Sequence, residues 1–144
     1  MSKREKLLVV DDDVDLVATL RLVLEHDGYT VLAAHDAETG LATASAERPD
    51  LILLDVMMPN ATEGFRFIWK LRERGEPYFK DVPIVMLTAI KERTGLRFYP
   101  ESKDGPFKTG EPVPIQDFID KPVDPAQLLE RVQAALTAAW RSRK

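Results

Sequence analysis

The stretch Asp50-Leu51-Ile52-Leu53-Leu54-Asp55-Val56-Met57-Met58-Pro59 constrains the fold more than any other part of the chain. Four consecutive apolar residues run into one acid, and a proline ends the segment. An unbroken apolar run of that length reads as a strand buried on both faces, as in a parallel sheet. Asp55 then stands where the strand leaves the sheet. In open α/β sheets ligands bind beyond the carboxyl ends of the strands, but Asp is also a common turn former. Taken alone, Asp55 fits either role.

The same unit recurs along the chain. Residues 7–10 are a second apolar run, ending in Asp11-Asp12-Asp13. Leu16, Val17, Leu20, Val23 and Leu24 fall on one face of a 3.6-residue period, which predicts a helix over about 14–27 with Gly28 at its C′ position. A strand follows over 29–34. Asp36 is placed to cap a helix near 37–47, built from small residues with Leu41 as its main apolar anchor. After the central strand, 60–64 reads as a loop and 65–74 as a helix, stopped by Gly75 and Pro77. Residues 82–88 read as a fourth buried strand, with Pro83 tolerable near its start. Residues 117–120 form a fifth strand before Lys121-Pro122. Asp124 and Pro125 then open a last helix whose stripe is Leu128, Leu129, Val132, Leu136 and Trp140.

Strands alternating with helices indicate a doubly wound, five-stranded parallel sheet of α/β class. One interval breaks the rhythm. Between 95 and 114 there are three glycines and four prolines, and no helical period survives. The fourth helix is therefore expected to be shortened or replaced by an irregular segment over about 90–116, a length of loop that is uncommon without a function. Leu96, Phe98, Tyr99 and Phe107 argue for some packing there.

The 144 residues suit one domain, and a net charge of −4 gives no general pull toward nucleic acid or anionic lipid. The absence of cysteine removes disulfides and thiolate chemistry and is compatible with a cytoplasmic location. The first apolar run is too short for a signal h-region or a membrane span.

The strand ends carry the chemistry. They present Asp11, Asp12 and Asp13, then Asp55, Thr88 and Lys121, all expected on one rim of the sheet. Carboxylates gathered so closely repel and call for a cation, and an oxygen-rich set suits Mg²⁺. A lysine supplies charge for a phosphoryl oxygen, and a threonine hydroxyl can donate to another. A carboxylate nucleophile, a metal and a lysine together make a phosphoryl-transfer site. Each signal is weak alone, since acids after a strand are commonly a solvated turn. Their joint occurrence on four strand ends is what weighs.

With these residues in view, the chain resembles the response-regulator receiver domain of two-component signalling. The matching segments are Leu7-Leu8-Val9-Val10-Asp11-Asp12, the stretch from Asp50 to Pro59, Pro83-Ile84-Val85-Met86-Leu87-Thr88-Ala89, and Phe118-Ile119-Asp120-Lys121-Pro122. The resemblance implies a flavodoxin-like sheet of order 2-1-3-4-5 and a single receiver domain over 1–144, with no output domain within the chain. It implies that Asp55 takes a phosphoryl group from the phosphohistidine of a sensor histidine kinase or phosphotransfer protein. Asp12 would ligate Mg²⁺ directly, Asp11 through water, and Met57 through its main-chain carbonyl, with Asp55 also in the metal set. Thr88 and Lys121 would hold phosphoryl oxygens, Thr88 and Phe118 would be the switch pair, and the Lys121-Pro122 bond would be cis. The expected partners are that donor and a downstream protein, with no direct nucleic-acid or membrane contact. Asp13, Asp15, His26 and His35 receive no role.

The chain departs from the family pattern in places. Gly64 stands one residue later after Asp55 than usual, and the interval before Lys121 is long. Met57 and Ile90 are apolar at the positions that would orient an attacking water, so a persistent phospho-aspartate is expected. The alternative reading is a haloacid-dehalogenase-like, Mg²⁺-dependent phosphatase with Asp11 as nucleophile. It leaves Asp55 without a role.

Overall fold

A computed structural model describes residues 5–55, 61–89 and 117–142. Strands β1 (Lys6–Val10), β2 (Thr30–Ala34), β3 (Leu51–Asp55), β4 (Ile84–Ala89) and β5 (Asp117–Lys121) form one sheet in the order β2-β1-β3-β4-β5. Every pairing is parallel. The described helices are α1 (Val14–His26), α2 (Ala37–Glu47), α3 (Ala61–Arg72), a short α4 (Pro77–Asp81) and α5 (Pro125–Ser142). The segment expected to be irregular, 90–116, lies outside the described residues.

The apolar runs work as strands because their side chains alternate between two buried layers. Leu8, Val10, Ile52, Leu54, Ile84 and Met86 face α2, α3 and α4. Leu7, Val9, Leu51, Leu53, Val85 and Leu87 face α1 and α5. Each full burial of such a side chain stabilises by about 1.5–3 kcal/mol, so a continuous apolar strand is stable only with helices on both sides. Val17, Leu20 and Leu24 of α1 supply one layer, together with Leu128 and Val132 of α5.

Aspartates start three of the helices: Asp36 and Asp124, which the sequence predicts as caps, and Asp13, which it does not. The Asp13 carboxylate accepts the Leu16 N–H at 3.0 Å, Asp36 accepts Thr39 N–H at 2.7 Å, and Asp124 accepts Gln127 N–H at 3.0 Å. These bonds satisfy donors that no helical carbonyl can reach. Gly28 follows α1 at φ 99°, a backbone state that favours glycine.

Four expectations need correction. Helix α3 begins at Ala61, not at residue 65, so most of the expected 60–64 loop is helical. Gly64 there costs only about 1 kcal/mol relative to alanine, and the helix is held by buried Phe67, Ile68 and Leu71. Pro77 stops α3 but also opens α4, where a proline at the first helical position is favoured; Phe79 anchors that turn in the core. Strand β4 starts at Ile84, two residues later than expected. Val82 N–H closes α4 on the Tyr78 carbonyl at 2.9 Å, and Pro83 contributes only its carbonyl, to Ile52 N–H at 2.9 Å. Finally, Leu41 is only partly buried, and α2 meets the core through Gly40 and Ala44. A Cβ at Gly40 would lie 3.0 Å from Phe67 Cε2 and 3.0 Å from Val10 Cγ1, so a side chain there would push these two core residues aside by a few tenths of an ångström.

Candidate phosphoryl-transfer site

Strand parity explains why the acids and the lysine meet. Asp11, Asp55 and Lys121 each stand two residues after a side chain of the α1/α5 layer: Val9, Leu53 and Ile119. They therefore project on the same side of the sheet as it ends. The register brings β1, β3, β4 and β5 to that rim together, with Val10 beside Leu54, Asp55 beside Leu87 and Ala89 beside Lys121.

Lys121 Nζ lies 3.3 Å from Asp55 Oδ1 and 3.4 Å from Asp11 Oδ2. Among the described residues, Asp11 and Asp55 are the buried charged side chains, at 0% and 3% exposure. Asp12 is exposed, and one carboxylate oxygen from each of Asp11, Asp12 and Asp55 lies within 4.8 Å of the others. Two like charges 4 Å apart repel by about 4 kcal/mol at an effective dielectric constant of 20. One ammonium does not balance three carboxylates.

The imbalance registers on the groups themselves. Burial is the main reason that the Asp11 pKa rises to about 6; the Asp13 N–H pulls it down, the Asp55 charge raises it further, and Lys121 opposes that rise. Burial acts against the Lys121 ammonium, but the Asp55 and Asp11 carboxylates outweigh it and raise its pKa.

Asp11 Oδ1 accepts the Asp13 N–H at 2.9 Å, whereas the buried Oδ2 has the Lys121 ammonium at 3.4 Å and, among the described residues, accepts no well-aligned hydrogen bond. A buried carboxylate oxygen left so, among three carboxylates, fits a hard divalent cation or one of its waters. The donor set is all oxygen, which suits Mg²⁺ better than a softer metal.

Thr88 and Phe118 are placed as strand positions, Thr88 beside Asp120 and Phe118 beside Met86, with their side chains outside the description. Met57 and Ile90 lie outside the described residues. The Lys121–Pro122 peptide bond is cis.

Two residues without a role in the sequence reading touch the site. Asp13 is not merely a solvated acid: its carboxylate caps α1 while its N–H holds Asp11. His35 is not isolated, since its Nδ1 lies 3.2 Å from the Asp11 carbonyl. The Asp-x-Asp spacing signals the first of these bonds. Nothing local signals the second, which joins two turns 24 residues apart.

Residues 7–99 match the family model of the response regulator receiver domain. The chain belongs to this family. It is 37% identical over 134 residues to the alkaline phosphatase synthesis transcriptional regulatory protein PhoP of Bacillus subtilis, covering 92% of this chain and 48% of PhoP. It is 35% identical over 134 residues to the response regulator MprA of Mycobacterium ulcerans, covering 91% of this chain and 50% of MprA. The chain thus spans about half the length of the curated relatives it matches. Among solved structures it is similar to the chemotaxis response regulator CheY4 of Vibrio cholerae, with a TM-score of 0.71 and 28% identity over 92% of this chain and 99% of that one.

Receiver domains are phosphorylation-operated signalling switches that interact with histidine kinases, and they are not classical enzymes. The phosphatase alternative finds no support in these comparisons. No helix among the described residues is long and apolar enough to cross a membrane.

Proposed function

We propose that Asp55 is the phosphoacceptor of this receiver domain and that phosphoryl transfer to it requires Mg²⁺. The observation that carries this reading is the Lys121 ammonium within 3.3 Å of one buried strand-end carboxylate and 3.4 Å of another. An Asp55 carboxylate oxygen attacks the phosphorus of a donor phosphohistidine, and the P–N bond breaks. Its electron pair returns to the ring nitrogen; with the other ring nitrogen protonated, the imidazole leaves as neutral histidine, and an acyl phosphate remains on Asp55. Lys121 would bind a phosphoryl oxygen as its former carboxylate partner becomes the acyl phosphate, and Thr88 would hold another. Asp11, Asp12, Asp55 and the Met57 carbonyl would hold the metal. When bound, the ion supplies charge neutralisation for the phosphoryl oxygens during in-line transfer.

Phe118, with Thr88, carries the change of state to a downstream protein. The donor is a sensor histidine kinase or a phosphotransfer protein, in a cytoplasmic setting. The relatives PhoP and MprA are a transcriptional regulatory protein and a response regulator by name. This chain would act as the switch, without direct nucleic-acid contact, in keeping with its net charge of −4.

The test is phosphoryl incorporation from acetyl phosphate, read by intact mass. One phosphoryl group per chain is expected with Mg²⁺, little with EDTA, and none in Asp55→Asn. Incorporation that ignores EDTA, or that survives Asp55→Asn, counts against this reading.

A further inference from the structure

We infer that His35 is a positioning residue for the metal-binding turn after β1. This rests on the reading of Asp11, Asp12 and Asp55 as the metal set. The β1–β2 ladder runs through Val10 beside Ala34, and its last main-chain bond is Asp11 N–H to Ala34 O at 3.1 Å. In a parallel ladder the Asp11 carbonyl would next accept a main-chain N–H from β2. The chain instead bends after Ala34 so that Asp36 can cap α2, with φ −153° and its carboxylate on Thr39. The His35 ring stands where the ladder stops, with Nδ1 3.2 Å from the Asp11 carbonyl.

A carbonyl oxygen only accepts, so the ring nitrogen facing it carries the proton. The ring therefore extends the ladder by one bond, made by a side chain. That bond acts on the peptide between Asp11 and Asp12. A peptide is planar, so fixing the Asp11 carbonyl also fixes the direction in which Asp12 departs. The Asp13 N–H fixes the Asp11 carboxylate from the other side, at 2.9 Å. Two adjacent acids that repel are thus held by one bond to a side chain and one to a main-chain carbonyl. His35 itself touches neither metal nor phosphoryl group. It acts through the peptide that carries two ligands, the way outer partners of metal ligands act elsewhere.

The geometry dictates the variants. His35→Asn would present an amide donor near the place of Nδ1, whereas His35→Phe would keep the ring volume and lose the donor. The test is therefore these two variants in the whole chain, with Mg²⁺ affinity measured by titration calorimetry and metal-free stability measured by urea unfolding in EDTA. His35 is exposed, so its bond competes with water and the expected effect sits at the low end for such partners. Mg²⁺ binding by His35→Phe should weaken about tenfold, while His35→Asn stays within about threefold of wild type and metal-free stability changes little. Equal affinity in His35→Phe and wild type overturns the role of His35 and leaves the metal site standing. So does an affinity in His35→Asn as weak as in His35→Phe, because the donor would then not be what matters. Absence of Mg²⁺ binding in the wild type overturns the site and this inference together.

Discussion

The two ends of the sheet use the same kinds of residue to opposite effect. At the amino-terminal end charges are matched. Lys6 Nζ donates to the Glu47 carbonyl at 2.9 Å and pairs with its carboxylate at 3.4 Å, and the Lys6 N–H donates to Asp50 at 2.8 Å. Arg48 pairs with Glu76 and lies over the rings of Tyr78 and Phe79, 5.5 and 5.3 Å from their centroids. Tyr78 Oη donates to the Pro49 carbonyl at 2.6 Å. These groups clamp α2, α4 and the entry to β3. At the carboxyl end, two buried carboxylates share one ammonium, with the exposed Asp12 carboxylate beside them. Matched charge holds the fold, while under the proposed function unmatched charge would make the site responsive to a metal ion and a phosphoryl group.

If this contrast is right, substitutions at the carboxyl end should have large, metal-dependent effects, and those at the other end small, metal-independent ones. Lys121→Met should cost the most, about 3 kcal/mol in EDTA at pH 7, because it leaves two buried carboxylates without their cation. Urea unfolding with and without Mg²⁺ checks this, and Mg²⁺ should recover part of the loss.

Asp11→Asn should do the reverse and stabilise the metal-free protein at pH 7 by on the order of 2 kcal/mol. The sign follows from the raised pKa. A carboxyl group that binds its proton more tightly when folded contributes stability that is complete below 3.8, its unfolded value, and is lost as pH rises through about 6. The difference in stability between wild type and Asp11→Asn, followed from pH 4 to 8 in EDTA, should therefore open over that window. A flat difference would remove the electrostatic half of the contrast.

At the matched end, Tyr78→Phe should cost about 1 kcal/mol for one hydrogen bond, equally with and without Mg²⁺. Arg48→Gly should change least. It removes a surface ion pair worth about 0–1 kcal/mol and the ring contacts, but it relieves a residue at φ 49°, where glycine is favoured by about 1 kcal/mol. The net should lie within about 1 kcal/mol of zero by the same opposing terms, and Arg48→Ala should be worse than Arg48→Gly.

The sequence made the two ends unequally visible. Asp55 and Asp11 are legible because unbroken apolar runs end in them, Lys121 because it closes a short strand before a proline, and strand parity then sets their side. The bounds of α2 were legible because Asp36 caps it and small residues fill it. The clamp was not. Pro77 reads as a stop, and only the packing of Phe79 shows that it opens another turn. Helix α3 starts earlier than the sequence predicts because the polar stretch 60–64, with its glycine, reads as a loop, although burial of Phe67, Ile68 and Leu71 outweighs that local preference. The link from His35 to Asp11 has no local signature, because it depends on where two parallel strands diverge.

The most direct test of the central claim is to locate the phosphoryl group. Protein treated with acetyl phosphate and Mg²⁺ should be reduced with borohydride, which converts an aspartyl phosphate to homoserine, and its peptides sequenced by mass spectrometry. Homoserine at position 55 alone is the predicted result. Homoserine at position 11, or an unmodified Asp55 in protein that has taken up phosphate, would contradict it.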